Sequence, residues 1–193
     1  MKIRSLKIWL IVTITGILFC LNFTIIHAQD MYIDIIGGGY KIYGPNTIIL
    51  PPKPAAFEEQ TTRADIRTQV TPDQNIPNYI EIADENGGNE FDLNVHASGF
   101  SGPAKINNSN FFLKNCDYPE SQECITPIEG ETEWLNLATA TENFAAFGTD
   151  PLPLARGSGT APGKWRIYPS FQLNIPSGTP PGQYSATITF TIS

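Results

Sequence analysis

The segment Ile175-Pro-Ser-Gly-Thr-Pro-Pro-Gly-Gln-Tyr-Ser-Ala-Thr-Ile-Thr-Phe-Thr-Ile192 decides the fold class, because a turn rich in proline and glycine leads directly into strict alternation. From Tyr184 to Ile192, apolar or small side chains alternate with serine and threonine. A period of two places one set of side chains in a core and the other in solvent, as in a half-buried β-strand. We therefore predict that the chain ends in a strand of its own domain. We also predict that this folded domain itself keeps the protein at the site where it acts.

The segment Phe91-Asp-Leu-Asn-Val-His-Ala97 alternates in the same way. The Asn-Gly-Gly turn at residues 86–88 suits the positive φ angles of a hairpin, so we predict that residues 79–83 pair with this segment. Two further turns, at residues 157–163 and 180–182, are interpreted in the same way as the tips of hairpins.

Helical patterns are almost absent from the chain, whereas glycine and proline, 16 of each, punctuate short apolar stretches throughout. This composition predicts an all-β fold: a two-sheet antiparallel β-sandwich of about eight strands with Greek-key-like connections, with a flattened barrel as the alternative. Pro169 predicts a bulge or a bend within the seventh strand. The predicted strands are residues 40–50, 62–70, 79–83, 91–97, 111–115, 142–147, 164–175 and 183–192.

Residues 1–28 have the features of a secretory signal, because a basic start precedes a mostly apolar run that ends near the small residue Ala28. An uncleaved membrane anchor is the alternative, since the run from Ile8 to Ile26 approaches spanning length. We predict a secreted protein with this signal, an N-terminal strand or flexible arm over residues 29–39, and one β-sandwich domain over residues 40–193.

The charge balance after residue 28 is acidic. Loss of the three cations in the signal leaves nine Lys and Arg against 19 Asp and Glu. Because contact with phosphates relies on clustered Lys and Arg, this composition disfavours nucleic acid and anionic membranes as partners. We accordingly predict no nucleic-acid binding and no membrane insertion of the mature chain.

Two of the three cysteines, Cys116 and Cys124, follow the signal and stand close together in the sequence. In an exported chain such a pair is interpreted as one disulfide that closes a surface loop. Closing a loop of about nine residues stabilises the fold by roughly 2.5 kcal/mol in the chain-entropy model. A redox or metal-binding pair is the alternative.

An acidic segment supplies the weak candidates for a metal site: Asp84, Asn86, Glu90 and Asp92. Their oxygen atoms suit calcium, but the spacing does not match a calcium-binding loop, and a solvated acidic turn is the preferred interpretation. His96 is expected on the solvent side of its strand, and no Gly-x-Ser-x-Gly turn accompanies it. We predict a protein that is not an enzyme and has no cofactor.

Aromatic side chains in loops or at strand ends are the remaining candidates for recognition, because flat rings stack on sugars or fill the pockets of a partner. The candidates are Tyr118, Trp134, Trp165 and Tyr168. Trp165 suits a place in the core equally well, because Ile167 shares its face of the strand.

Two segments resemble the paired signatures of the WxL family of bacterial cell-surface proteins, in which a Trp-x-Leu triplet occurs in each of two strands. Residues 80–100, with Phe91-Asp-Leu93, are similar to the first signature, and residues 184–192, with Phe190-Thr-Ile192, are similar to the second. In both triplets phenylalanine stands in place of tryptophan, which keeps an aromatic ring directed inward. The resemblance implies a protein of the cell surface or cell wall, attached non-covalently to peptidoglycan or to a partner surface protein, with binding residues Phe91, Leu93, Phe190 and Ile192.

The alternative function is a structural subunit of an extracellular fibre. Met31-Tyr-Ile-Asp-Ile-Ile36 precedes the segment Gly37-Gly-Gly39. Residues 29–36 would then leave their own fold and complete the sheet of a neighbour, which gives a homo-polymer. A first edge strand or a disordered terminus is the simpler interpretation of the same residues.

Overall fold

The computed structural model describes residues 27–29, 31–33, 39–45, 47–54, 56–68, 78–85, 87, 90–117, 124–130, 134–158 and 162–193, with the backbone alone for residues 27–29, 31–33 and 47. These residues are all-β, with turns and short 3-10 helices between the strands. The strands are β1 (His27–Gln29), β2 (Met31–Ile33), β3 (Tyr40–Tyr43), β4 (Thr47–Ile49), β5 (Gln60–Asp65), β6 (Ile80–Asp84), β7 (Phe91–Ala97), β8 (Phe111–Lys114), β9 (Ile125–Glu129), β10 (Leu135–Leu137), β11 (Ala145–Ala146), β12 (Leu152–Gly157), β13 (Gly163–Ile167), β14 (Ser170–Ile175) and β15 (Ile188–Ile192).

Three larger sheets pack together around one core. Sheet I has the order β10-β12-β7-β15-β2, sheet II the order β11-β8-β14-β5, and sheet III the order β3-β6-β13-β9, while β1 and β4 form a two-stranded ribbon. Neighbouring strands are antiparallel, except that β2 runs parallel to β15. The all-β, sandwich-type fold predicted from the sequence is confirmed, with more and shorter strands than the eight predicted.

Sheets II and III are joined through a bend in one strand. β13 ends at Ile167 and β14 begins at Ser170, with Tyr168 and Pro169 between them. β13 pairs with β6 and β9 in sheet III, whereas β14 pairs with β5 and β8 in sheet II. Proline has no N–H group to give to a ladder, so its position at the change of sheet confirms the predicted bend.

The predicted disulfide between Cys116 and Cys124 is confirmed, with the two Cα atoms 5.7 Å apart. Cys116 follows β8 and Cys124 precedes β9. Because β8 pairs with β14 and β9 pairs with β13, the disulfide links a strand of sheet II to a strand of sheet III. It therefore crosslinks the two sheets that the bend at Pro169 also joins.

The core combines the buried rows of all three sheets. In β7 and β15 every second residue is buried, as the alternation predicts, and His96 lies on the partly exposed side. An aromatic cluster surrounds Phe111, whose ring centroid is 5.0 Å from those of Phe100 and Phe147 and 5.8 Å from that of Phe171. Aromatic side chains thus fill the space behind sheet II.

None of the three hairpins predicted from turn chemistry forms in the structure. β6 lies in sheet III and β7 in sheet I, so the Asn-Gly-Gly segment connects two sheets. The turns at residues 157–163 and 180–182 likewise connect strands of different sheets, β12 to β13 and β14 to β15. These predictions are wrong because turn residues determine where the chain reverses, whereas the burial of apolar faces determines which strands pair. Among the strands that the structure describes, none pairs with the next one along the chain.

The N-terminal part of the described chain adds two short strands. β1 crosses the predicted cleavage junction between Ala28 and Gln29 and pairs with β4, and β2 lies within the predicted N-terminal arm. Residues 1–26, with the basic start and the apolar run of the predicted signal, lie outside the described residues. Within the described ranges, no helix is long and apolar enough to cross a membrane.

Tyr184 is fully buried, and its hydroxyl group donates a hydrogen bond to the carbonyl oxygen of Pro180 at 2.7 Å. Burial raises the pKa of Tyr184 above its ordinary value of 10.0, although a hydrogen bond from the backbone of Ala104 opposes this rise. As the pH rises past the ordinary value, the unfolded chain loses a proton that the folded protein keeps. The stability that this buried side chain contributes is therefore present below about pH 10 and is lost as the pH rises through the higher, folded-state pKa.

The variant Tyr184→Phe is expected to lower the free energy of unfolding at neutral pH by about 1 kcal/mol, because it loses the hydrogen bond to Pro180. Above about pH 10 its stability is expected to fall less steeply than that of the wild type, because it has no proton to lose at this position. Urea unfolding at neutral and alkaline pH measures both effects, and Tyr43→Phe, at a side chain 49% exposed, is the control at neutral pH. Equal alkaline slopes for Tyr184→Phe and the wild type would contradict the prediction.

Candidate functional site

An open groove of about 570 Å³, here called the polar groove, lies on the outer face of sheet II. Because side chains alternate along β5 and β14, Ala64 and Leu173 point into the core while the polar residues beside them stay at the surface. The volume is in the range of ligand-binding pockets. The groove is lined by Pro51, Lys53, Thr61, Thr62, Arg63, Gln172 and Asn174.

A chain of hydrogen bonds orders the floor of the polar groove. Nε of Arg63 donates to Oε1 of Gln172 at 2.7 Å, and Nε2 of Gln172 donates to Oδ1 of Asn174 at 3.1 Å. The hydroxyl group of Thr61 donates to the same Oδ1 atom, also at 3.1 Å. The oxygen atoms of both amides are therefore engaged, and the groove presents mainly N–H donors, from Asn174 and from the guanidinium group of Arg63.

Phe144 and Asp117 contact the guanidinium group of Arg63 beside the groove. Its Cζ atom is 4.8 Å from the centroid of the Phe144 ring, and Nη1 is 4.0 Å from Oδ2 of Asp117. Lys114 makes a closer ion pair with Asp117, at 2.7 Å. One carboxylate is thus shared by two cations, which leaves net positive charge at this end of the groove.

The lining of the polar groove suits a ligand rich in oxygen acceptors. Lys53 and Arg63 supply its charge, and none of the lining residues carries a carboxylate. Amide and guanidinium donors recognise hydroxyl, carbonyl and carboxylate oxygens. The lining therefore favours a ligand that presents oxygen acceptors over a cationic ligand.

An exposed aromatic ring follows the groove-lining segment in the sequence. Phe57 is 98% exposed, in the loop between Lys53 and β5. Its neighbours Ala56 and Glu58 line a smaller depression that Lys53 shares with the polar groove. Aromatic rings of this kind stack on sugars, and this ring is exposed in the segment between the groove-lining Lys53 and β5.

The outer face of sheet III carries two stacked pairs of tyrosine and arginine. Cζ of Arg67 is 3.7 Å from the centroid of the Tyr168 ring, and Cζ of Arg166 is 4.1 Å from that of Tyr79. Arg166 also donates to Glu81 at 2.9 Å, and this hydrogen bond raises the pKa of Arg166. Tyr168, a predicted binding residue, is therefore half-buried and already covered on one face by a guanidinium group.

Four predicted binding residues, from the two aromatic-x-aliphatic triplets, lie in the core. Phe91, Leu93, Phe190 and Ile192 are each at most 2% exposed. The structure does bring the triplets together, because β7 and β15 are neighbours and Leu93 lies directly opposite Ile192. Their role in the structure is packing, and a direct contact with a ligand would require the sheets to separate.

The remaining predicted aromatic residues are divided between core and surface. Trp165 is 1% exposed, with its ring against Gly163, where an added Cβ atom would lie 2.4 Å from Cη2. Trp165 therefore lies in the core, as the alternative to a role in recognition predicted. Trp134 is half-buried, with its ring over Gly130, and Tyr118 lies outside the described residues.

The weak metal candidates are engaged with protein groups. Asp84 is buried and accepts a hydrogen bond at 2.8 Å from a backbone N–H in the turn that follows. Glu90 and Asp92 both form ion pairs with Arg156, and Asn86 lies outside the described residues. In the part of the chain that the structure describes, no group of three or more His, Cys, Asp or Glu side chains is arranged to hold a metal ion.

The polar groove was not predicted from the sequence. Arg63 on β5 and Gln172 on β14 are hydrogen-bonded although they are 109 residues apart in the sequence. Alternation within each strand is enough to place both on an outer face, but no local pattern shows that β5 and β14 are neighbours. The sequence feature that could have indicated a polar surface is the polar residue at every second position of both strands.

In comparisons with known proteins, no protein-family model, no curated protein and no solved structure matches this chain. The polar groove is therefore the main structural feature that bears on function, and the resemblance to the WxL family stays a prediction.

Proposed function

We propose that this chain is an exported, non-catalytic binding protein of the cell envelope that attaches non-covalently to cell-wall glycan through the polar groove. The observation that carries the proposal is the lining, in which amide and guanidinium donors are ordered by one chain of hydrogen bonds and none of the lining residues carries a carboxylate. Sugar hydroxyl groups and the carboxylates of peptidoglycan are acceptors of the kind that these donors need.

Two further features support a place in the cell envelope. The disulfide between Cys116 and Cys124 is typical of a protein that folds in an oxidising compartment. The sequences of β7 and β15 resemble the two signatures of the WxL family. This resemblance implies that the protein attaches to the cell wall. In this proposal the two triplets stabilise sheet I, and the groove on sheet II makes the contact with glycan.

The variant Arg63→Ala is expected to weaken binding to purified peptidoglycan about tenfold or more, because it removes a charged donor from the lining of the groove. Arg156→Ala is the matched control: the two arginine side chains are 58% and 62% exposed and both have acidic partners, but Arg156 lies on sheet I. Co-sedimentation with peptidoglycan measures the affinity, and urea unfolding checks that both variants are folded.

Co-sedimentation with intact walls and with purified peptidoglycan has three outcomes that contradict the proposal that the polar groove binds cell-wall glycan. If the protein stays in solution with intact walls and with purified peptidoglycan, it is not a wall-binding protein. If it binds intact walls but not glycan freed of protein, the partner is a surface protein. If Arg63→Ala and Arg156→Ala bind equally well, the polar groove is not the binding site.

A further inference from the structure

The outer edge of β15 accepts a parallel strand in this structure. β2 is the last strand of sheet I, and its register places Met31 opposite Ile188, Tyr32 opposite Thr189, and Ile33 opposite Phe190. A strand in this position satisfies backbone N–H and C=O groups of β15 that would otherwise form an open edge. This edge of β15 is therefore occupied by backbone pairing with β2 in the structure.

β2 forms fewer residue pairs with β15 than β7 does. β15 pairs with β7 through five residue pairs, from Ile188 opposite Ala97 to Ile192 opposite Leu93, whereas β2 pairs through three. Every second side chain of β15 is buried in the core. β15 is therefore held by sheet I when β2 leaves, and the edge stays in place to accept another strand.

The segment after β2 contains three consecutive glycines, Gly37-Gly38-Gly39, before β3 begins at Tyr40. Gly39 has a φ of 95°, in the region that favours glycine. A side chain with a Cβ atom rarely adopts this backbone conformation, which explains a glycine immediately before β3.

We propose that the edge of β15 is a self-association surface whose occupant is β2 of a second copy of this chain. The strand that pairs within one chain shows that the edge accepts this sequence, in this register and in parallel orientation. A copy that donates its β2 leaves its own edge open, so exchange either closes reciprocally into a dimer or continues from copy to copy into an open chain. This surface lies on sheet I, separate from the polar groove on sheet II.

The experiment uses two single-cysteine variants, Tyr32→Cys and Thr189→Cys, which stand opposite each other across the β2–β15 pair. Both carry Cys20→Ser, so that the native disulfide is kept and the introduced thiol is the free one. The two variants carry different affinity tags, are co-expressed, and are oxidised without unfolding. Thr149→Cys, at an exposed position outside sheet I, replaces Thr189→Cys in the control.

If strands exchange, a disulfide forms between differently tagged copies of Tyr32→Cys and Thr189→Cys. We expect this product to be about tenfold more abundant than the product of Tyr32→Cys with Thr149→Cys, because pairing raises the effective concentration of the two thiols. The double variant Tyr32→Cys/Thr189→Cys then distinguishes dimers from a ladder of higher species on a non-reducing gel. If the double variant crosslinks only within one chain and the mixed variants do not crosslink, the proposal is overturned. Wall binding is measured separately and does not affect either result.

Discussion

Replacing Phe111 by alanine is expected to lower the free energy of unfolding by about 4 kcal/mol, a large share of the roughly 5–15 kcal/mol that stabilises a typical domain. Phe111 is 1% exposed, and three other phenylalanine rings lie within 5.8 Å of its ring, measured between centroids. Truncation removes apolar burial and leaves a cavity that these rings cannot fill without leaving their own contacts. Urea unfolding followed by near-ultraviolet circular dichroism measures the loss.

The matched control is Phe57→Ala, which makes the same chemical change at a side chain that is 98% exposed. It is expected to change the free energy of unfolding by no more than about 0.5 kcal/mol, because no core contact is lost. If both variants lose the same stability, or if Phe111→Ala costs less than about 1 kcal/mol, the aromatic cluster is not the packed core described above.

Gly157→Ala is expected to destabilise the protein by about 2–3 kcal/mol although it adds one methyl group. Gly157 lies opposite Phe91 in sheet I, and an added Cβ atom would lie 2.0 Å from Cε1 of the Phe91 ring. The ring cannot move freely, because Tyr40 packs 4.9 Å from its centroid and Trp165 packs 6.4 Å from it. The cost appears as a lower urea midpoint with an unchanged slope.

Gly148→Ala is the control for this substitution, because an added Cβ atom there meets nothing within 4 Å. It is expected to be neutral or to stabilise by up to about 1 kcal/mol, since alanine restricts the unfolded chain. A result in which Gly157→Ala is as stable as Gly148→Ala would mean that the ring of Phe91 does not lie over Gly157.

The same pair, Gly157 and Phe91, shows why β12 was not predicted. β12 reads Leu-Pro-Leu-Ala-Arg-Gly, and Pro153 and Gly157 are residue types that usually interrupt strands. In the structure Pro153 lies at a shift of register between β12 and β7, where a ladder hydrogen bond is not needed, and Gly157 makes room for the aromatic ring. Both residues are explained by the neighbouring strand, which the local sequence does not reveal.

The candidate binding residues illustrate the same limit. The resemblance to the WxL family predicted that Phe91 and Phe190 bind a ligand, whereas the alternation of their strands predicted that they face inward. In the structure both side chains are buried in the core. Arg63 and Gln172 were not predicted as site residues, because in the sequence each is one polar residue in an alternating strand. Only their hydrogen bond across 109 residues of sequence makes them part of one groove.

The sequence by itself determined the all-β class, the inward faces of β7 and β15, the bend at Pro169 and the disulfide, because each depends on side chains that are close together along the chain. Tertiary structure alone decided which strands pair, and it turned three predicted hairpins into connections between sheets. The physical reason is that a strand buries its apolar face wherever the whole set of sheets closes around the core, so its partner depends on every other strand at once. The polar groove and the β15 edge are products of that closure.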